Sequence, residues 1–167
     1  MPKKYVVRER IPDDVDGLYA IFPFDVLQAN GKGVFKIGMT TRLDKRLQSY
    51  HTYLPKGYYK KCLLTNIPLP QKYRDNKAGF YKKIEKEIFN RVKVLGGIAI
   101  HIPNRKAKNG ETEWIFARED KILQAFDEAH DKYHGNLDYW ELEKPLKKKL
   151  KKLQDDSIFE GKIYFDD

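Results

Sequence analysis

The sequence GVFKIGMTTRLDKRLQSY, residues 33–50, predicts the local structure around which the fold is built. An apolar strand over residues 34–37 ends at Gly38. A helix is predicted to follow, because Thr41 and Asp44 have the spacing of a capping box, which satisfies backbone N–H groups at a helix start. Apolar residues then recur at helical spacing and form one stripe. The members of this stripe are Leu43, Leu47, Tyr50 and Leu54.

Arg46 lies one helical turn before Tyr50, so the two side chains share a face of this predicted helix. A guanidinium and a phenol held beside a strand end have the chemistry to bind a phosphate group. The structural alternative is an arginine that packs its stem over an aromatic ring, and spacing alone favours that alternative.

Two short motifs, together with this arginine, resemble the paired signature of the GIY-YIG nuclease superfamily. GLY at residues 17–19 is similar to the first motif and KIG at residues 36–38 to the second. Arg46 stands eight residues after Gly38, at the family's arginine position. Lys36 replaces the tyrosine of YIG, as in a similar branch common in phages and large DNA viruses. The resemblance covers residues 15–117, most of the chain.

The resemblance implies an α+β fold, with a small mixed or antiparallel three-stranded sheet flanked by helices. It also implies hydrolysis of DNA phosphodiester bonds at a single divalent metal ion, Mg²⁺ or Mn²⁺. Tyr19 then matches the family's candidate base, and Lys36 supplies positive charge beside it. Arg46 and Tyr50 contact the phosphate or the attacking water. The alternative is a catalytically inactive nucleic-acid-binding domain on the same fold.

A predicted second helix, residues 72–95, carries the most informative acidic residue. Glu85 falls inside an apolar arc of this helix, whereas Glu87 falls outside it. An unpaired buried carboxylate costs several kcal/mol or becomes neutral, so Glu85 needs a cation, which a metal ion or Arg46 would supply. A buried ion pair is the structural alternative. The resemblance implies that Glu85 is the metal ligand, with Glu113 as the second candidate.

The segment NGKG at residues 30–33 predicts a turn, which makes the strands at residues 17–22 and 34–37 antiparallel neighbours. Tyr19 and Lys36 are expected to face the same side of that pair. Later patterns predict strands at residues 57–67, 98–102 and 113–117, and a helix at residues 118–134.

The domain organisation predicted from these patterns has three parts. Residues 1–16 form an irregular arm, residues 17–135 form the nuclease-like domain, and residues 136–167 form a lysine-rich tail with a helix. The tail sequence KPLKKKLKKL at residues 144–153 is a basic amphipathic helix, which either docks its leucines and binds a polyanion or is simply a solvated face. An acidic end follows it.

Composition favours a polyanionic partner. The net charge is +9 and the pI about 9.4, which suits a polyanion because each neutralised phosphate releases condensed counterions. Charge alone does not separate DNA from RNA or an anionic membrane surface. The candidate DNA contacts are Arg42, Lys45, Arg105, Lys106 and Lys108. No apolar run has the roughly 20 residues needed to cross a bilayer, so no membrane partner is expected.

The lone cysteine, Cys62, fits a reducing compartment. An intracellular protein of the cytoplasm, nucleoid or nucleus is therefore expected, and the resemblance to the phage and viral branch adds encoding by a phage or virus as one option. A domain of this size would need a second copy or a partner to cut both DNA strands, so a homodimer is one expected arrangement.

Overall fold

The computed structural model describes residues 15–23, 32–43, 45–46, 58–101, 114–139 and 164–165. Within these ranges the fold is α+β, as predicted, with one antiparallel sheet and two α-helices. The strands are β1 (Gly17–Pro23), β2 (Lys32–Thr40), β3 (Tyr58–Thr65), β4 (Ile98–His101), β5 (Trp114–Arg118), β6 (Asn136–Tyr139) and β7 (Tyr164–Phe165).

The sheet order is β6-β3-β1-β2-β5-β4-β7, and each neighbouring pair is antiparallel. The central strands β3, β1 and β2 correspond to the three-stranded sheet that the resemblance implied. That sheet is the middle of a larger one, since β5 and β4 extend it beside β2. β6 pairs with β3, so the sheet also continues past residue 135, where the nuclease-like domain was predicted to end.

The two helices are α1 (Lys77–Val94) and α2 (Glu119–Tyr133). α1 begins five residues later than predicted, because a 3₁₀ turn, Gln71–Tyr73, precedes it and Asn76 caps it. The Asn76 side-chain oxygen accepts a hydrogen bond from Gly79 N at 3.1 Å, which satisfies one of the unpaired N–H groups at the helix start. α1 ends before Gly96, whose φ of +107° suits glycine.

Both helices pack on one face of the sheet, which we call the helix face. Its central strands contribute apolar side chains at alternate positions, and they form one core with the buried residues of both helices. Val92 of α1 and Ile115 of β5 both border Gly97, and Leu64 of β3 borders Gly135 just beyond α2. Burying each such side chain contributes about 1.5–3 kcal/mol, so this layer accounts for much of the stability. The central-strand members are Leu18, Ala20, Phe22, Phe35, Ile37, Cys62 and Leu64.

The opposite face, which we call the motif face, carries the other set of alternate positions. Tyr19, Ile21 and Leu63 are buried on it. Lys36 and Trp114 lie opposite each other on the same face, from β2 and β5. The two signature motifs therefore place their named side chains on the face opposite α1 and α2.

Candidate functional site

The register of β1 and β2 brings the two motifs together. Tyr19 is paired with Gly38, and Ile21 is paired with Lys36. Because successive side chains of a strand alternate between faces, Tyr19 and Lys36 lie on the same face at diagonal positions of neighbouring strands. The predicted antiparallel pairing and the shared face are both confirmed.

Tyr19 lies directly over Gly38. A Cβ atom at Gly38 would overlap the Tyr19 phenol oxygen and come within 2.6 Å of Cζ, so only glycine leaves room for the ring. Tyr19 is itself 0% exposed, which prevents the ring from moving outward into solvent. The tyrosine of the first motif and the glycine of the second thus form one packed unit.

Lys36 is held between β1 and β5. It is 6% exposed, and its ammonium nitrogen lies 5.6 Å from the centroid of the Trp114 ring. A cation over an aromatic face is stabilised by about 0.5–2 kcal/mol. Trp114 was not predicted as a site residue, because sequence patterns did not show that β5 pairs with β2.

The start of the helix predicted after β2 is described in part. The Thr40 hydroxyl accepts a hydrogen bond from Arg42 N at 3.1 Å, and Arg46 N donates to Arg42 O at 3.0 Å, as in a helical turn. Thr40, one residue before the predicted cap, therefore accepts the bond, and Asp44 lies outside the described residues. Leu43 is buried, as its place in the predicted stripe requires.

The candidate cations of this segment are at the surface. Arg42, Lys45 and Arg46 are all exposed, at the end of β2 where Thr40 pairs with Gly17. Their positive charges are therefore accessible to a ligand at this end of the sheet. The remaining predicted contacts, Tyr50, Glu113, Arg105, Lys106, Lys108 and the lysine-rich segment 144–153, lie outside the described residues.

Glu85 is 7% exposed on α1, so its predicted burial is confirmed. The Lys82 ammonium lies 3.5 Å from Glu85 Oε1, and the Lys82 side chain is itself about half exposed. Glu85 is therefore a buried carboxylate with a cation beside it, which is the environment that its place in the apolar arc of the helix requires.

Val15 and Asp16 connect α1 to the second motif. Leu43 N donates to Val15 O at 2.7 Å, and the Tyr81 hydroxyl donates to Asp16 Oδ1 at 2.6 Å. Lys77 also pairs with the Asp16 carboxylate. Burial, and secondly the Asp16 hydrogen bond, raise the pKa of Tyr81 above its usual range. One short segment thus contacts both the helical residues that follow β2 and the first turns of α1.

Glu85 lies in a different layer from Tyr19 and Lys36, which are on the motif face. It lies one turn beyond Tyr81 on α1, and the C-terminal part of α1 packs against the helix face. The sheet register therefore assembles Tyr19 with Lys36, whereas Val15 and Asp16 link the Arg46 segment to the start of α1 at the same end of the sheet.

Asp138 is a second buried acidic residue, and sequence reasoning missed it. It is 4% exposed and is paired with Leu63, which is in turn paired with Tyr19. This places Asp138 on the motif face, two strands from Tyr19. The signal was the alternation of Leu137 and Tyr139, which predicts a strand whose intervening residue faces the other way.

A separate group on α2 has metal-ligand chemistry. Asp127, His130 and Asp131 bring ligand atoms within 4.8 Å of one another, and His130 Nδ1 lies 3.5 Å from Asp131 Oδ1. These side chains are partly or fully exposed on a helix surface. Such groups are common without an ion, so we assign this one no function.

Comparisons with known proteins were made on the whole sequence. No curated protein and no solved structure matched it. No helix within the described ranges is long and apolar enough to cross a membrane. A model of the T5orf172 domain matches residues 19–130, a span that starts at the first-motif tyrosine and ends within α2. Because this match covers about two thirds of the sequence, the chain belongs to the T5orf172 domain family.

Proposed function

We propose that this protein is a metal-dependent endonuclease that hydrolyses DNA phosphodiester bonds. The observation that carries the proposal is the register of β1 and β2, which sets Tyr19 over Gly38 and Lys36 on the same face. The family supports it, since the T5orf172 domain is phage-associated and linked to nuclease-like proteins. An intracellular setting with access to DNA fits such a domain.

Phosphodiester hydrolysis requires charge stabilisation on the phosphate. Arg46 is exposed at the end of β2 and would bind a non-bridging oxygen, where negative charge develops in the transition state. Exposed Arg42 and Lys45 would contact neighbouring phosphates. The scissile phosphate would then lie at the end of the sheet where Gly17 and Thr40 pair.

Glu85 is the described residue that best fits a divalent metal ion. Mg²⁺ keeps several waters and is commonly bound by one or two carboxylates plus substrate phosphates, so one carboxylate is a suitable protein donor. A bound Mg²⁺ or Mn²⁺ would polarise the phosphate and stabilise the leaving oxygen. Glu85 would hold the ion, and Lys82 would move to a phosphate when the ion is bound.

Tyr19 is the proposed base. An ordinary phenol titrates near 10, so Tyr19 needs nearby positive charge to accept a proton at neutral pH. Lys36 supplies such a charge from the same face, and the Trp114 ring fixes the position of its ammonium group. Lysine would thus replace the tyrosine of the second motif without loss of activity.

The test uses two matched variants on one helix. Supercoiled plasmid is incubated with the wild-type protein, Glu85→Gln and Glu87→Gln, each with Mg²⁺, Mn²⁺ or EDTA. Glu87 lies two residues from Glu85 but faces α2, where it accepts a hydrogen bond from the Tyr133 hydroxyl. We expect metal-dependent nicking by the wild type and Glu87→Gln, and a loss of at least about 100-fold in Glu85→Gln.

A nicking rate that is the same in Glu85→Gln and the wild type would contradict the proposed metal site. Circular dichroism of each variant shows whether the fold is retained. A single copy is expected to nick, whereas a homodimer would be needed to cut both strands. Cleavage mapping at low and high protein concentration separates these two products.

One observation favours the second candidate, a nucleic-acid-binding domain without activity. Tyr19 is 0% exposed, and a fully buried phenol cannot contact a water molecule unless the residues that cover it move. That candidate predicts retardation of DNA on a gel with Mg²⁺ present and no cleavage. The same plasmid samples, run with and without a deproteinising step, distinguish the two candidates.

A further inference from the structure

The charges on one flank of α1 join this helix to α2. On the flank toward α2, Glu87 accepts hydrogen bonds from Lys132 and Tyr133, and Arg91 pairs with Glu128 at 2.6 Å. These contacts lower the pKa of Glu128 and raise that of Arg91. The charges of this flank therefore hold the two helices together.

The opposite flank of α1 carries three exposed lysines. Lys82, Lys86 and Lys93 follow one another at intervals of four and seven residues. At 100° per residue they lie within about 40° of each other around the helix axis, so they form one stripe along its length. We call this set the lysine stripe.

Glu85 borders the lysine stripe. It lies about 60° from Lys82 around the helix axis, at the edge of the buried arc, on the side away from α2. α1 contains two acidic residues, and the other one, Glu87, faces α2. The lysine stripe thus has Glu85 as its one acidic neighbour on the helix, and it leads directly to the proposed metal site.

We propose that the lysine stripe binds the phosphate backbone of duplex DNA, so that the duplex runs along α1 past Glu85. This inference rests on the proposed function and extends it, because it names a DNA-contact surface. Lys82 and Lys93 are eleven residues apart, or about 16 Å at 1.5 Å per residue. That length matches about five base-pair steps at 3.4 Å each.

The lysine stripe would account for affinity for DNA but not for sequence specificity. Lysine contacts to phosphate position a protein on the duplex but do not report the identity of the bases. They also make binding depend steeply on salt, because each neutralised phosphate releases about 0.9 counterion. Salt dependence is therefore the measurement that identifies these contacts.

The experiment compares two variants with the same change in net charge. Lys86→Gln/Lys93→Gln alters the lysine stripe and leaves Lys82, the partner of Glu85, in place. Lys83→Gln/Lys121→Gln removes two charges elsewhere, on the outer side of α1 and on α2. Binding of each full-length protein to a labelled duplex of about 20 base pairs is followed by fluorescence anisotropy in EDTA, at about 50 to 200 mM salt.

We expect the slope of log K against log salt to fall in magnitude by about 1.8 in the lysine-stripe variant, with at least about fivefold weaker binding near 0.1 M salt. The control variant should show less than half of this fall in slope and less than half of this loss in affinity. Equal losses in both variants would overturn the proposal. So would a wild-type protein that binds vesicles of anionic lipid but not DNA.

The binding readout does not depend on cleavage. A protein that binds DNA through the lysine stripe but never cuts it would sustain this inference and overturn the nuclease proposal. A protein that cuts DNA but binds equally well without the lysine stripe would overturn this inference and sustain the nuclease proposal.

Discussion

The two faces of the sheet differ in the side chains that they bury. The helix face is lined by apolar side chains such as Leu18, Phe35 and Leu64, which pack with α1 and α2 in one core. The motif face buries Lys36 and Asp138 beside apolar neighbours. A buried charge must have a partner, and the Lys36 ammonium group has the Trp114 ring beside it, so this face depends on specific neighbours in a way that an apolar face does not. We therefore predict that changes on the helix face act mainly on stability and that changes on the motif face act mainly on the proposed activity.

The largest expected difference between the two faces is tested by changing two adjacent residues of β2, one on each face. Phe35 is 0% exposed on the helix face, with its ring 5.3 Å from that of Phe22 in an edge-to-face contact. Phe35→Ala should lower the free energy of unfolding by about 3–5 kcal/mol, because it removes buried apolar surface and leaves a cavity. Urea denaturation followed by circular dichroism measures the loss.

The matched change on the motif face is Lys36→Met, which keeps most of the side-chain volume. It should alter the free energy of unfolding by less than about 1.5 kcal/mol, since replacing a buried charge by an apolar group of similar size is often neutral or stabilising. DNA nicking should fall by about 100-fold, because the charge beside Tyr19 is lost. If Lys36→Met destabilises the protein as much as Phe35→Ala, the two faces do not differ in role.

Much of the helix face could be predicted from the sequence. An apolar arc at 3.6-residue spacing correctly predicted which side of α1 is buried, including Glu85, because helix geometry fixes each direction by residue number alone. The turn at residues 30–33 correctly predicted that β1 and β2 are neighbours. These are short-range features, for which local sequence is sufficient.

The wider sheet and the partners of Lys36 could not be predicted in this way. β5 and β6 join the sheet beside strands distant in the chain, so the contact of Lys36 with Trp114 depends on a pairing that periodicity does not specify. Asp138 was missed for the same reason, since its burial depends on β6 pairing with β3. The start of α1 was predicted too early because Asn76, and not the apolar pattern, determines where the helix begins.

A smaller effect tests the contact inside the motif face. Gly38→Ala would force the Tyr19 ring to move, and Tyr19 has no exposed direction to take. Overpacking of this kind costs about 1–3 kcal/mol of unfolding free energy. In a Tyr19→Ala background the same Gly38→Ala change should cost much less, so a double-mutant cycle should give a coupling of about 1 kcal/mol or more. Additive effects of the two changes would show that the motifs are not packed as one unit.

The smallest expected effect concerns the hydrogen bond between Tyr81 of α1 and Asp16, where the helix layer meets the first motif. Burial and Asp16 raise the pKa of Tyr81 in the folded protein, whereas an unfolded tyrosine titrates near 10. The stabilisation by neutral Tyr81 is therefore complete below about pH 10 and is lost as the pH rises further, because the unfolded state releases its proton first. Urea denaturation of the wild type and Tyr81→Phe between about pH 9 and pH 11 should show their stability difference shrinking, by at most about 1.4 kcal/mol per pH unit for one proton. Groups common to both proteins cancel in that difference, so a difference that stays constant across this range would place the Tyr81 hydroxyl outside the linkage between the two layers.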